Sequence, residues 1–284
     1  MIPNREPNKL HASASALALL DQFAITAPQD IQVHDLATAR GAVVIEAPLE
    51  GCEARLVRGR TRGVIRVRNS IQENGRKRFA AAHELGHFLL HADVSQYFIC
   101  TAEDMRDYRR SPVEIEANFF ASHLLMPSFL FRPRCRKRDI NLATVSGLAT
   151  EFDTSLTATA LRFVEESGHL CTAVLSRDGV VEWAKSTEGL RAPRIEKGQR
   201  ISPDALAYHC TVEDQLSPWH EVSAVAWFDE PADARRWEVM EQSLRFRGYP
   251  FILTLLCLTE REDEPEDAHD RFAQRNTRRG IEDS

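Results

Sequence analysis

No CxxC pair, no apolar run long enough to cross a bilayer, no internal repeat and no surplus of positive charge occur in this chain of 284 residues. The six cysteines, at positions 52, 100, 135, 171, 210 and 257, are scattered, and nothing in their spacing asks for a disulfide framework. The longest apolar run, from Tyr249 to Leu258, is about half of a membrane span. Met1 to Arg5 leads into polar residues and shows no signal-peptide core with a cleavage site. A formal net charge of −6 argues against non-specific binding of nucleic acid by the molecule as a whole. Together these absences predict a cytoplasmic protein with free, mostly buried thiols and no membrane partner. What is present is ordinary for a globular chain: 43% hydrophobic and 27% charged residues, in a length that allows one large domain or two to three small ones.

Periodicity and punctuation place the elements. The Ala-rich stretch 11–25, with Leu17, Leu19, Leu20 and Phe23, predicts an amphipathic helix, and a shorter one follows over 30–40 and ends at Gly41. Strands are expected at 42–46, 53–58 and 63–69. In the last, Val64-Ile65-Arg66-Val67-Arg68 alternates apolar and basic side chains, as a half-exposed strand near a sheet edge would. Asn74 to His91 has helical composition without proline, and 92–110 reads as irregular and charged. Ser111-Pro112-Val113-Glu114 opens another helix, with Ser as N-cap, Pro in the first turn and Glu three residues on; it runs to about Leu125. The basic run Arg132 to Arg138 reads as a solvated linker at a domain boundary. Helices at 141–151 and 155–166 follow, then strands at 171–176 and 180–183 around an Asp178-Gly179 turn, and later strands at 221–228 and 251–258. The acidic tail after Glu260 reads as disordered.

The chemistry lies in His83-Glu84-Leu85-Gly86-His87. Histidines four apart on a helix stand only about 40° apart around its axis, so both imidazoles can reach one ion. Zinc in a peptidase takes three protein ligands and leaves one position for water. Glu84 is placed to take a proton from that water, whose pKa zinc lowers, and to pass it to the leaving amine. Phe79, Ala80, Ala82, Leu85, Leu89 and Leu90 make the rest of this helix apolar, and burying imidazoles and a carboxylate there is costly unless a metal or partners satisfy them. The helix after Ser111 must supply the third ligand. Glu114 and Asn118 are four apart and share a face with Ala121 and Leu125, so Glu114 is the candidate ligand and Asn118 the candidate acceptor from a ligand imidazole. Glu114 is also the capping-box Glu of Ser111, and Glu116 is the rival ligand. His91 would drift about 80° from His83, so a three-histidine site on straight helix is not expected. It reads as an end-of-helix residue whose imidazolium suits the dipole.

Across these two segments the chain resembles the ImmA/IrrE family of bacterial metallopeptidases. The resemblance rests on Arg78-Phe79-Ala80-Ala81-Ala82-His83-Glu84-Leu85-Gly86-His87-Phe88-Leu89-Leu90-His91 and on Glu114-Ile115-Glu116-Ala117-Asn118-Phe119-Phe120-Ala121 with Leu124-Leu125-Met126-Pro127. It is clear over roughly residues 15–130 and looser through the hairpin after Cys171. A threonine common before the HEXXH is Ala80 or Ala81 here. The resemblance implies an α+β protein: a zincin-like metallopeptidase domain at 1–132, a helix-turn-helix-like segment at 133–168, a GAF-like α+β domain at 169–260 and a tail at 261–284. It implies His83, His87 and Glu114 as zinc ligands, with manganese as the other metal such a set accepts, and Glu84 as general base. It implies site-specific cleavage of an XRE-type helix-turn-helix repressor, relieving repression of stress-response or mobile-element genes.

Other features have plainer readings. Thr154 to Arg162, where a recognition helix would lie, offers Arg162 as its one cation, so direct DNA binding is not expected. The nine cations from Arg55 to Arg78 could select an acidic substrate added to the 63–69 strand, or could be surface charge. Tyr97, Tyr108 and His123 are the available oxyanion-stabilising candidates. His209, Cys210 and His220 follow no metal pattern. The competing function is a non-proteolytic regulator that binds a repressor or DNA through the central and C-terminal segments.

Overall fold

The computed structural model describes residues 5–92, 97–100, 111–228 and 236–261, with the backbone alone at 97–100. Helix α1 (Lys9–Gln22) starts where the Asn8 side chain accepts from His11 N, and Ala12, Ala16, Leu19 and Leu20, one turn apart, form its buried stripe. After α2 (Val33–Ala39) come β1 (Ala42–Ala47), β2 (Ala54–Arg58) and β3 (Gly63–Arg68), then the long helix α3 (Asn74–Leu90). With β4 (Tyr97–Cys100) the strands form a mixed sheet in the order β1-β3-β2-β4, β1 parallel to β3 and the other pairs antiparallel.

This topology corrects the expectation of an edge strand at 63–69. β3 is flanked by β1 and β2, and its alternation separates a core face (Gly63, Ile65, Val67) from an outer face that carries Arg66. The cations nearby are mostly engaged. Arg68 and Arg76 face Glu53, Lys77 pairs with Glu46 at 2.6 Å, and Arg58 donates to the carbonyls of His87 and Phe88 at the end of α3. An added strand has no free edge on β3, and these side chains serve the fold.

Helix α4 (Pro112–Leu125) packs against α3 and α1, followed by α5 (Ser128–Arg136), α6 (Leu142–Phe152) and α7 (Leu156–Glu166). The basic run is therefore not a solvated linker. It is helical through Arg136, its Cys135 is buried, and Arg132 bonds Glu166 at 2.7 Å while Arg134 and Arg138 grip Glu151 at 2.5 and 2.8 Å. Three cations that look free in sequence meet acidic partners brought in by α6 and α7. Arg162 points inward as well, donating to Met126 O at 3.1 Å and Ser128 Oγ at 2.8 Å.

The C-terminal sheet is antiparallel, in the order β6-β5-β9-β8-β7: β5 (Cys171–Arg177), β6 (Val180–Ser186), β7 (His220–Val222), β8 (Trp237–Arg245) and β9 (Phe251–Glu260). One core runs without a break from α1, α3 and α4 through Phe131, Phe152 and Phe163 to Ala173 of β5 and Leu255 of β9. The opposite sheet face closes a second core around Trp227, Val239 and Leu256. The expected strand at 221–228 is shorter, because Ala224–Ala226 turn in a 3-10 helix that drives Trp227 and Phe228 into that core. No helix among the described residues is long and apolar enough to cross a membrane.

Candidate metal centre

Helix α3 carries its polar chemistry on a buried face: His83, Glu84 and His87 are all 0% exposed. Burial on this scale needs a close neighbour, and Gly86 supplies the approach. A Cβ there would stand 3.1 Å from the Phe120 ring and 3.3 Å from Ala117 Cα, so α4 can lie against the bare backbone of α3. Glu114, one turn before Ala117 and Asn118 on α4, then faces the two histidines.

The Nε2 atoms of His83 and His87 are 3.0 Å apart, and the Glu114 carboxylate lies 3.1 Å from the first and 3.3 Å from the second. Four ligands held tetrahedrally at zinc distances stand about 3.3 Å from one another, so the spacing of these donors fits one small cation. His83, His87 and Glu114 are the group among the described residues whose ligand atoms lie within 4.8 Å of one another. On the far side of His83, Nδ1 is 3.0 Å from Asn118 Oδ1. An amide oxygen accepts, so that nitrogen carries a proton, and Nε2 is the nitrogen turned towards His87 and Glu114.

The charges agree with this placement. Burial alone would raise the Glu114 carboxyl, but hydrogen bonds from His83 and His87 outweigh it and hold the group far below the carboxylate range. Burial lowers His87 to about 4, aided by the neighbouring charge of His83. His83 is opposed by the same burial, yet the Glu114 carboxylate and the Glu84 charge raise it.

Glu114 and Glu116 face different partners. Ser111 Oγ accepts from the backbone N of Glu114 at 3.4 Å, so the cap uses the backbone of Glu114 and leaves its carboxylate for the histidines. Glu116 turns to Arg5, Asn8 and His91 instead. His91 departs from its expected role: it is 2% exposed and lies 3.0 Å from His87 Nδ1 and 2.8 Å from Glu116, and burial lowers its pKa, so it is a buried, bonded ring and not an exposed one at a frayed helix end. His123 sits nine residues along α4 from Glu114, about 180° around the axis, with Nδ1 on Phe119 O at 2.8 Å, and is not brought to the site. Tyr108 and the side chain of Tyr97 lie outside the described residues. Arg5 and Asn8 were not legible as site neighbours; the one signal nearby was the four-residue spacing from His87 to His91.

No curated protein matches the chain. Among solved structures it is similar to a Mycobacterium tuberculosis transcriptional regulator, at 14% identity and a TM-score of 0.59, over 87% of this chain and 76% of that one; at this identity the likeness concerns the fold alone. Residues 37–164 match the family model described as the IrrE N-terminal-like domain, Peptidase_M78, and that stretch contains His83, Glu84, His87, Glu114 and Asn118. Residues 37–164 are thus similar to the IrrE N-terminal-like domain, the family that the paired motifs resemble.

Proposed function

We propose that the protein is a zinc-dependent endopeptidase of the cytoplasm that cleaves a helix-turn-helix repressor of the XRE type and so relieves repression of stress-response or mobile-element genes. The observation that carries the reading is the convergence of His83 Nε2, His87 Nε2 and the Glu114 carboxylate within 3.0 to 3.3 Å of one another. When bound there, the ion supplies Lewis acidity towards a peptide carbonyl and lowers the pKa of water. The donor set suits zinc, and manganese is the alternative metal.

The chain's own groups do the rest. Glu114 completes the donor set as an anion. Asn118 keeps the proton on His83 Nδ1, so that the Nε2 lone pair stays inward. Glu84, buried beside His83, takes a proton from the attacking water and returns it to the leaving amine. The repressor as substrate is what the resemblance of the paired motifs to the ImmA/IrrE family implies. Arg162, buried and bonded within the fold, leaves helix α7 without a cation to offer DNA, so recognition of a protein is the better-supported role of the central helices.

The test is incubation with the XRE-type repressor encoded nearest the gene, with and without chelator, read by intact mass. Wild-type protein yields two fragments, chelator abolishes them, and Glu84→Gln keeps its metal but yields none. A Glu84→Gln variant that derepresses target genes as well as wild type does would instead establish the non-proteolytic regulator.

A further inference from the structure

The cysteines are scattered in sequence, yet the fold brings two of them face to face. Cys171 of β5 stands directly opposite Cys257 of β9 in the antiparallel register of the C-terminal sheet. Leu258 N donates to Leu170 O at 3.1 Å, so Leu170 and Leu258 form a hydrogen-bonded pair and the next pair, Cys171 with Cys257, is a non-hydrogen-bonded one. In agreement, the Cys171 carbonyl is turned the other way and accepts from Thr187 N at 2.9 Å. Facing Cα atoms at such positions are about 4.5 Å apart, and their side chains approach most closely. A disulfide joins Cα atoms roughly 4.4–6.8 Å apart, so one fits here with little movement of the backbone. We propose that Cys171 and Cys257 are a redox site, oxidised by a peroxide to a cross-strand disulfide and returned to thiols by a small thiol reductant. Among the described residues no other two cysteines face each other across a strand pair.

Their surroundings give the two sulfurs different parts. Cys171 is 0% exposed, and its Sγ lies 3.6 Å from Thr187 Oγ1. Cys257 is only partly buried, and its neighbour on the other side, directly opposite on β8, is Met240, which is 37% exposed. A small oxidant therefore meets Cys257 first, from the Met240 side, and Cys171 waits behind it. The electrons and atoms balance with hydrogen peroxide as oxidant. Cys257 Sγ attacks one peroxide oxygen, the O–O bond breaks, and the other oxygen leaves with the thiol proton as water, which makes Cys257 a sulfenic acid. Cys171 Sγ then attacks Cys257 Sγ; the S–S bond forms, the S–O bond breaks, and the departing hydroxyl takes the Cys171 proton as a second water. The two thiols are oxidised and the peroxide is reduced. Burial pushes the Cys171 thiol up to about 11 and raises that of Cys257, so both are protonated at neutral pH and the pair stays reduced until oxidant is in excess. Once formed, the bond closes the chain that runs through β6, β7 and β8 into a ring, and Trp227 and Val239 of the second core lie within it.

The experiment uses the full chain, reduced and then freed of reductant, with hydrogen peroxide as the probe and peptide mapping by mass spectrometry after alkylation under native conditions. The linked peptides of Cys171 and Cys257 should be the main oxidation product, and dithiothreitol should restore both thiols. Cys171→Ser should lose the link and leave the sulfenic acid at Cys257 without a resolving thiol, so that dimedone labels position 257 there and barely in wild type. Cys257→Ser should lose the link and leave Cys171 unmodified at the same dose. Oxidation in urea should scatter the links among the cysteines, because the pairing is made by the sheet. The wild-type map needs no variant, so the test stands even if a serine variant does not fold. Links scattered as widely in the native protein as in urea, thiols all retained at a dose that fully oxidises free cysteine, or Cys257 carried to the sulfonic acid while Cys171 stays a thiol would overturn the proposal.

Discussion

Arg78 on α3 donates from Nη1 to the backbone carbonyls of Asp153 and Phe152 and from Nη2 to that of Ile31, each at 2.7 Å. The helix that carries the candidate centre is in this way pinned, one turn before His83, to the turn between α6 and α7. Asn74 bonds the Asp153 side chain, and Gly75 meets the turn backbone directly. The central helices therefore hold α3 in place, and strain introduced at this contact should be felt along α3.

Gly75 gives the first prediction. A Cβ at this position would stand 2.5 Å from the Thr154 carbonyl carbon and 2.7 Å from Ser155 N, both backbone atoms that cannot swing aside. Replacing helical glycine by alanine ordinarily gains about 1 kcal/mol. Here overpacking should outweigh the gain, and Gly75→Ala should destabilise the protein by a net 1–3 kcal/mol, roughly. Urea unfolding measures it. A variant as stable as wild type would mean that α3 does not press on the α6–α7 turn.

Asn118 gives the second. Its Oδ1 accepts from His83 Nδ1, so an acceptor at this place is what matters. Asn118→Leu should weaken zinc binding about 10–100-fold, whereas Asn118→Asp, which still accepts, should keep most of the affinity. Chelator competition distinguishes them, and equal losses in both would show that packing of the amide, and not acceptance, is the requirement.

Much of this was written in the sequence, and the omissions have physical causes. Helices with caps and periodic stripes were legible: Ser111 with Pro112 starts α4, and the Asp178-Gly179 turn joins β5 to β6. The candidate donors His83 and His87 follow from helical spacing because one turn of α3 brings them to one face, and Glu114 with Asn118 follows in the same way on α4. β8 was missed since its polar residues, Glu241, Gln242 and Ser243 among them, are buried by partners distant in sequence. Arg132, Arg134 and Arg138 looked solvated for the same reason: their acids, Glu151 and Glu166, arrive only with the fold. The link from Arg5 to Glu116 spans 111 positions, and no local pattern foretells it.

Glu116 predicts an acid-side dependence of stability. Burial would raise its pKa, but Arg5, the Asn8 amide and His91 lower it from 4.5 to about 2. A carboxyl whose folded pKa is depressed binds its proton less readily when folded than when unfolded. Its contribution is complete above about 4.5 and is lost as pH falls towards 2. Thermal melting between pH 5 and 2 should fall less steeply in Arg5→Ala than in wild type, because the variant has less of this contribution to lose. Parallel slopes would argue that the Arg5–Glu116 pair is not maintained in solution.

Glu241 has the opposite sign and lies in the other core. It is fully buried on β8, and its carboxylate accepts from Leu206 N at 3.1 Å, Ala207 N at 2.6 Å and Trp227 Nε1 at 2.8 Å. Burial raises its pKa despite these donors. The folded state then holds the proton to higher pH than the unfolded chain does, so stability falls as pH rises from about the ordinary 4.5 through the raised value, then levels. Glu241→Gln should flatten that limb while leaving the acid limb set by Glu116 unchanged. Glu241→Leu removes the acceptor altogether and strands two backbone amides and an indole N–H; at 1–3 kcal/mol for each, a loss of about 3 kcal/mol or more is expected even after the buried charge is relieved. Tryptophan fluorescence during urea unfolding reads the second core through Trp227, and a Leu variant unfolding at the wild-type midpoint would show that the loop from 206 to 227 is held by packing and not by this carboxylate.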